Sequence, residues 1–355
     1  MNVAASSSSG TAPPPGEPGE PDTRTGSAAL DAVLRFRELG LVVTLVLLVG
    51  ATTVSNANFL SQQSIRDILL ATAITLLLAC GMTLVVVSRG IDLSVGSVLG
   101  LSAFGTATLL REHPGLPVPV ALLVGVAIGA ACGAVNGVVI AYGKVPALVA
   151  TLGTLYVFRG VVYFWAGGSR ISAGDMPRGF LDFGTARILG VPYLFLIGLA
   201  VLVVVGQFLR RYRTGRDLYA IGSSGEAARL AGIGINSRLM LAYVASGALA
   251  GLGGVLYAAR YGTVDASAGT GMELNIVAAV VVGGVAIFGG SGSVYGAALG
   301  ALLLTVINNA LPVLGIDQFW QRAIVGVLII AAIALDRLVA LRVAESLRKK
   351  DSHVR

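Results

Sequence analysis

Few side chains in this 355-residue chain are placed to do chemistry. The two histidines, His113 and His353, fall in a short connection and in the C-terminal tail, so neither a Ser/His/Asp set nor a metal cluster can be assembled around them. A chain that hydrolyses nucleotide would carry GxxxxGK[ST], whose backbone amides and lysine hold the phosphates. The only Gly-Lys pair, Gly143-Lys144, runs into Val145 and lacks the upstream glycine. Cys80 and Cys132 both lie in apolar runs, where a thiol behaves as a small core residue, and no disulfide framework is indicated. The sequence therefore predicts no catalytic residue, no metal site and no cofactor on the chain itself.

What remains is polarity set inside apolar sequence. The stretch SRGIDLSVGS, residues 88–97, places Arg89 and Asp92 three positions apart between two long apolar runs. A charge at the bilayer centre costs about 2.5–3.5 kcal/mol on insertion scales, and the run 68–87 is long enough to span without one. The pair is thus expected at the cytoplasmic interface, in a tight turn where Gly90 supplies backbone freedom and Asp92 or Ser94 caps the next helix. Asn136, Thr151, Asn308 and Asn309 are polar positions inside expected spans, where each either lines a solute pathway or bonds between helices. Arg159 is expected to snorkel outward or to pair with a partner such as Glu273. An ion relay would need acids at mid-span, whereas Asp92, Glu273 and Asp317 fall at expected helix ends.

The elements that position these residues follow from composition. The chain is 55% hydrophobic and 12% charged, with a mean hydropathy of +0.84, against roughly 25% charged for a soluble domain. It reads as an all-α, polytopic membrane protein, with ten spans near 39–55, 68–87, 95–110, 118–142, 145–166, 191–209, 239–259, 276–289, 294–315 and 320–336. The span 276–289 is short enough to be partial or tilted. A net charge of +7 would suit nucleic acid, but its distribution argues against that. Arg210, Arg211, Arg213, Arg216, Arg229 and Arg238 crowd one loop, and a further basic group fills the tail from Arg337 to Arg355. Such clusters beside apolar spans mark the cytoplasmic side. Ten crossings place both termini and the loop 210–238 there, with 167–190 outside. Residues 1–38, rich in Ser, Pro and Gly, are expected to be a disordered tail, 39–336 the transmembrane body and 337–355 a basic tail.

Glycine carries a second pattern. Gly125, Gly129, Gly133 and Gly137 recur at steps of four, leaving one stripe of a helix as bare backbone, and Gly247, Gly251, Gly253 and Gly254 make a similar surface. Gly90, Gly96 and Gly100 are answered 200 positions later by Gly290, Gly296 and Gly300, which suggests an internal repeat. The loop segment GRDLYAIGSSGEAARLAGIGINSR, residues 215–238, is far more polar than its surroundings. Within it Ser223 or Ser224 can cap a short helix starting near Glu226, whose small face suits a groove on another protein.

Four stretches together resemble the ribose/xylose-type permease subunits of bacterial ABC importers: SRGIDLSVGS, VPALVATLGTLYVFRG (145–160), GRDLYAIGSSGEAARLAGI (215–233) and GMELNIVAAVVVGGVAIFGGSGSVYGAALGA (271–301). The resemblance covers about residues 40–336 in the family's order. It implies a homodimer or paired permease in membrane lipid, cytoplasmic ATPase subunits that carry the ATP and Mg, and a periplasmic or lipid-anchored sugar-binding protein outside. By the same resemblance Glu226, Ala227, Ala228 and Gly232 match the loop that couples to the ATPase, and the solute is a ribose- or xylose-like monosaccharide. Ser223-Ser224 departs from the Gly-Asn common in the family at this point. A permease for nucleosides or branched-chain amino acids shares the architecture, and an ion-coupled secondary carrier is the reading from a different class.

Overall fold

A computed structural model describes residues 24–317 and scattered positions between 319 and 334, with side chains from Glu38 onward. Twelve α-helices make up the described chain: α1 Arg24–Ser55, α2 Gln62–Val87, α3 Val95–Glu112, α4 Val118–Gly137, α5 Ala147–Ala166, α6 Arg178–Thr185, α7 Tyr193–Arg211, α8 Arg213–Ser223, α9 Gly225–Leu230, α10 Ile235–Tyr261, α11 Met272–Val282 and α12 Val294–Val313. A π-helical turn, Val138–Tyr142, extends α4. A two-residue ladder pairs Arg187–Ile188 (β1) with Val191–Pro192 (β2).

Seven of the helices (α1 from Glu38, α2, α4 with its π turn, α5, α7, α10 and α12) are long and apolar enough to cross a membrane. Helix α3 carries Ser97, Ser102, Thr106 and Thr108 and is buried nearly throughout, so it needs no lipid-facing apolar surface. The expected span at 276–289 is displaced. Its helix is α11, of only 11 residues, and 283–289 forms turns through the left-handed Gly284 and Gly289. Helix α1 begins at Arg24, overlapping the part of the chain expected to lack structure. Residues 1–23, the basic tail 337–355 and part of the tenth expected span lie outside the described residues.

Helices α2 and α10 form the middle of the bundle. The latter packs on α2, α3 and α4, the former on α7, α11 and α12 as well, while α1 closes over α12. The glycine stripes explain how α4 and α10 meet. A Cβ on Gly129 would lie 2.7 Å from Gly251 Cα and against the Gly247 carbonyl, and one on Gly133 would overlap the Tyr243 carbonyl. The reverse holds too, with a Cβ on Gly247 only 2.8 Å from Gly133 Cα. The two bare stripes face each other, so the backbones approach as close as main-chain atoms allow. Ser102 Oγ sews α3 to this seam, donating to Gly251 O at 2.8 Å and to Gly125 O at 3.1 Å.

Candidate transport and docking sites

The connection between α2 and α3 corrects the expected surface turn. Arg89 is exposed and takes the left-handed φ of 68° that Gly90 was expected to provide. Gly90 is required for space instead, because a Cβ there would meet the Tyr243 hydroxyl. Asp92 points the other way and is 1% exposed. It accepts from Ser94 N–H at 3.1 Å and Ser94 Oγ at 2.6 Å through one oxygen, and from Ser246 Oγ at 2.9 Å through the other. Ser246 lies 11 residues into α10, about 16 Å along it. Three donors make it possible to bury this carboxyl inside the bundle.

Asn136 belongs to the same network. It is fully buried on α4; its Nδ2 donates to Ser94 Oγ at 2.8 Å and its Oδ1 accepts from Thr154 Oγ1 at 2.7 Å. Thr151 Oγ1 donates to Ile91 O at 3.0 Å. Asp92, Asn136 and Thr151 are therefore brought together, and with Ser94, Thr154 and Ser246 they tie α3, α4, α5 and α10 at one level. Sequence reasoning missed Thr154 and Ser246 and read Ser94 only as a helix cap, a bond its side chain does not make; a lone hydroxyl beside the Gly247 stripe was the only signal for Ser246. Asn308 and Asn309 sit apart on α12. Asn309 Nδ2 returns to its own helix at Thr305 O, 2.7 Å away, and the link between α12 and α2 is made instead by Thr305 and Thr75, whose hydroxyls are 3.3 Å apart.

Arg159 neither snorkels outward nor forms the expected ion pair with Glu273. It is 9% exposed, and its Nη1 donates to Ala266 O at 3.0 Å and Ala268 O at 2.7 Å. Both carbonyls belong to Gly262–Gly271, the non-helical segment between α10 and α11. That segment comes to rest on α3: a Cβ on Gly269 would strike Gly96 O, and one on Gly100 would strike Ala268 O and lie 3.0 Å from Arg159 Nη1. Glu273 instead accepts from Gly271 N–H at 3.2 Å.

The six-arginine loop folds into α8 and α9. Helix α8 buries Leu218 and Ile221, and its half-buried Tyr219 donates to Gly292 O at 2.9 Å; burial pushes this phenol up to about 12. Asp217 pairs with Arg238 at 2.9 Å, pinning α8 to the start of α10. Ser224 caps α9, accepting from Ala227 N–H at 3.3 Å, with Glu226 in the positive first turn. At the other end Gly232 has φ 75°, its N–H reaching Arg229 O and the Ile233 N–H reaching Ala228 O, both at 3.0 Å. This is a Schellman ending, which only a left-handed residue completes cheaply. Glu226, Ala227 and Gly232 are exposed, whereas Ala228 is 3% exposed and holds α9 to the body rather than facing outward. Leu230, 87% exposed, is the apolar group that α9 offers instead.

The α8–α9 unit touches two chain reversals at once. A Cβ on Gly222 would overlap Val87 O at the end of α2, and Gly290 N–H donates to that same carbonyl at 2.9 Å. Gly289 in turn stacks on Arg89.

Helices long and apolar enough to span, joined through enclosed polar contacts and carrying a structured basic unit at one end, define an all-α multi-pass membrane protein. The chain belongs to the family described as branched-chain amino acid transport system / permease component, which matches residues 64–333. It is 38% identical to the ribose import permease protein of Escherichia coli (strain K12), over 85% of this chain and 94% of that protein. It is 36% identical to the autoinducer 2 import system permease protein of Enterobacter sp. (strain 638), over 86% and 88%. With the galactose/methyl galactoside import permease protein of Salmonella typhimurium (strain LT2) it shares 35% identity over 85% and 95%. No solved structure matches the chain.

Proposed function

We propose that this chain is the membrane permease subunit of an ATP-driven importer whose solute is a sugar, of the ribose- or xylose-like monosaccharide class. Two of the relatives above are named for import of ribose and of galactose. The observation that carries the reading of mechanism is the α8–α9 unit. Its short helix has both ends fixed, by Ser224 and by Gly232, and it presents Glu226, Ala227 and Leu230 to solution between two spans.

In this reading ATP and Mg bind a separate ATPase subunit seated on α9 at the cytoplasmic face, and the six arginines mark that face. The termini lie on the same side. Two permease copies, or this chain and a second permease, enclose the route, and a sugar-loaded binding protein docks on the opposite face. Closure of the ATPase displaces α9, and α8 passes the displacement to the end of α2 and to the turn leading into α12, biasing the bundle between two states.

The test is co-purification of an ATPase with the full chain, retained by the parent and lost on Glu226→Lys, with uptake lost in parallel. Solute uptake by the isolated chain in liposomes without ATP would sink the reading in favour of a secondary carrier. The family description favours a second solute, a branched-chain amino acid, and competition of labelled ribose uptake by leucine separates the two.

A further inference from the structure

The non-helical segment Gly262–Gly271 does not stay at the membrane surface. Its Gly269 rests on Gly96, which is 16 residues from the far end of α3 and so about 24 Å below it. Helix α10 thus ends, and the chain doubles back into the bundle before α11 begins. Irregular backbone at such depth is tolerated only where protein encloses it or water reaches it.

Protein encloses the segment on one side and leaves the other side open. On the inner side Val264, Ala266, Ala268 and Gly269 are buried, and Arg159 satisfies two of the inward carbonyls. On the outer side Thr263, Asp265, Ser267 and Thr270 are exposed. Asp265 there accepts from Ser267 N–H at 2.7 Å and Ser267 Oγ at 2.6 Å, which fixes the shape of this edge. Val264 is bridged to Ile171 of the 167–190 connection, so Thr263 and Asp265 lie toward the mouth, whereas Ser267 and Thr270 flank the Ala268–Gly269 contact with α3, where hydroxyls are costly to leave against hydrocarbon.

We propose that this edge is a wall of the solute route, with Thr263, Ser267 and Thr270 offering hydroxyls and Asp265 a carboxylate to a hydroxyl-rich solute. The assignment rests on the importer reading for the identity of the solute, while the presence of water along the edge stands on the geometry alone. Arg159 acts as a positioning residue that holds the wall from behind.

The chain suits a cysteine test, because its two native thiols, Cys80 and Cys132, are buried. In the full complex Thr263→Cys, Ser267→Cys and Thr270→Cys are treated with a membrane-impermeant charged thiol reagent, beside Val46→Cys on α1 and Val204→Cys on α7 as exposed apolar controls. Thiolate forms only where water reaches, so the three edge positions are expected to react at least about 10-fold faster than the controls. Modification of Ser267→Cys is expected to stop ribose uptake. Labelling no faster than the controls overturns the proposal, as does full labelling of Ser267→Cys with uptake unchanged. Labelling rates are read without ATP, so they are independent of the Glu226→Lys outcome.

Discussion

Ser246 Oγ donates to Asp92 Oδ2 at 2.9 Å across 154 positions of sequence, joining the middle of α10 to the turn that opens α3. A buried acceptor that loses its donor costs about 1–3 kcal/mol, and more when charged. Ser246→Ala is therefore expected to lower the thermal midpoint of the purified complex by several degrees. Asp92→Asn keeps an oxygen for Ser94 and offers its amide to Ser246, so it is expected to unfold close to the parent. Asp92→Leu, which strands all three donors, is expected to prevent accumulation in the membrane. Equal midpoints for Asp92→Asn and Asp92→Leu would show that the network is dispensable.

The helix seam makes a contrasting pair of expectations. Gly129→Ala sets a Cβ against the Gly247 carbonyl and should reduce folded yield sharply. Gly153→Ala and Gly160→Ala on α5 meet nothing within 4 Å, and alanine there should stabilise by about 0.5–1 kcal/mol. Folded yield by size-exclusion chromatography distinguishes the two classes. Similar behaviour at all three sites would contradict the close approach.

On α9, Gly232→Val forces a branched side chain into φ 75° and is expected to fray the helix end at a cost of about 1–2 kcal/mol. Leu230→Ser leaves the helix intact and removes its exposed apolar contact. Both should weaken capture of the ATPase. Only Gly232→Val should also speed proteolysis within 224–233, which limited digestion followed by mass spectrometry would read.

Arg159→Met removes the donor to Ala266 O and Ala268 O while keeping bulk on α5. The outcome expected is loss of uptake with the ATPase still bound, because the wall segment loosens far from α9. Arg159→Lys, with one rotatable ammonium, should restore part of the uptake. Retention of full uptake in Arg159→Met would remove the positioning role.

Much of the helical architecture was readable because apolar runs of spanning length are unambiguous, and the stripe from Gly125 to Gly137 announced a close approach before its partner was known. What the residues could not convey was depth. Asp92 looked like an interfacial charge because the apolar run before it was long enough alone, yet beside the local donors of Ser94 it takes one from Ser246 on α10, whose proximity no local pattern encodes. Arg159 was misjudged for the same reason, since backbone carbonyls as partners leave no trace in residue types. The segment after α10 was invisible as an inward fold because Thr263 to Gly271 has the composition of any surface loop. For α9 the cap was a local signal, legible as Ser223 or Ser224, whereas Gly232 was marked only through the family resemblance and not as the end of the helix.

The way α4 and α10 lie together has a mechanical meaning. Where two helices touch through side chains, a change of rotamer lets one slide past the other at little cost. Here carbonyls and α-carbons are already in contact, so any relative shear would drive main chain into main chain. The pair works as a single stiff spar, and whatever rocking carries solute across the membrane must take place around it.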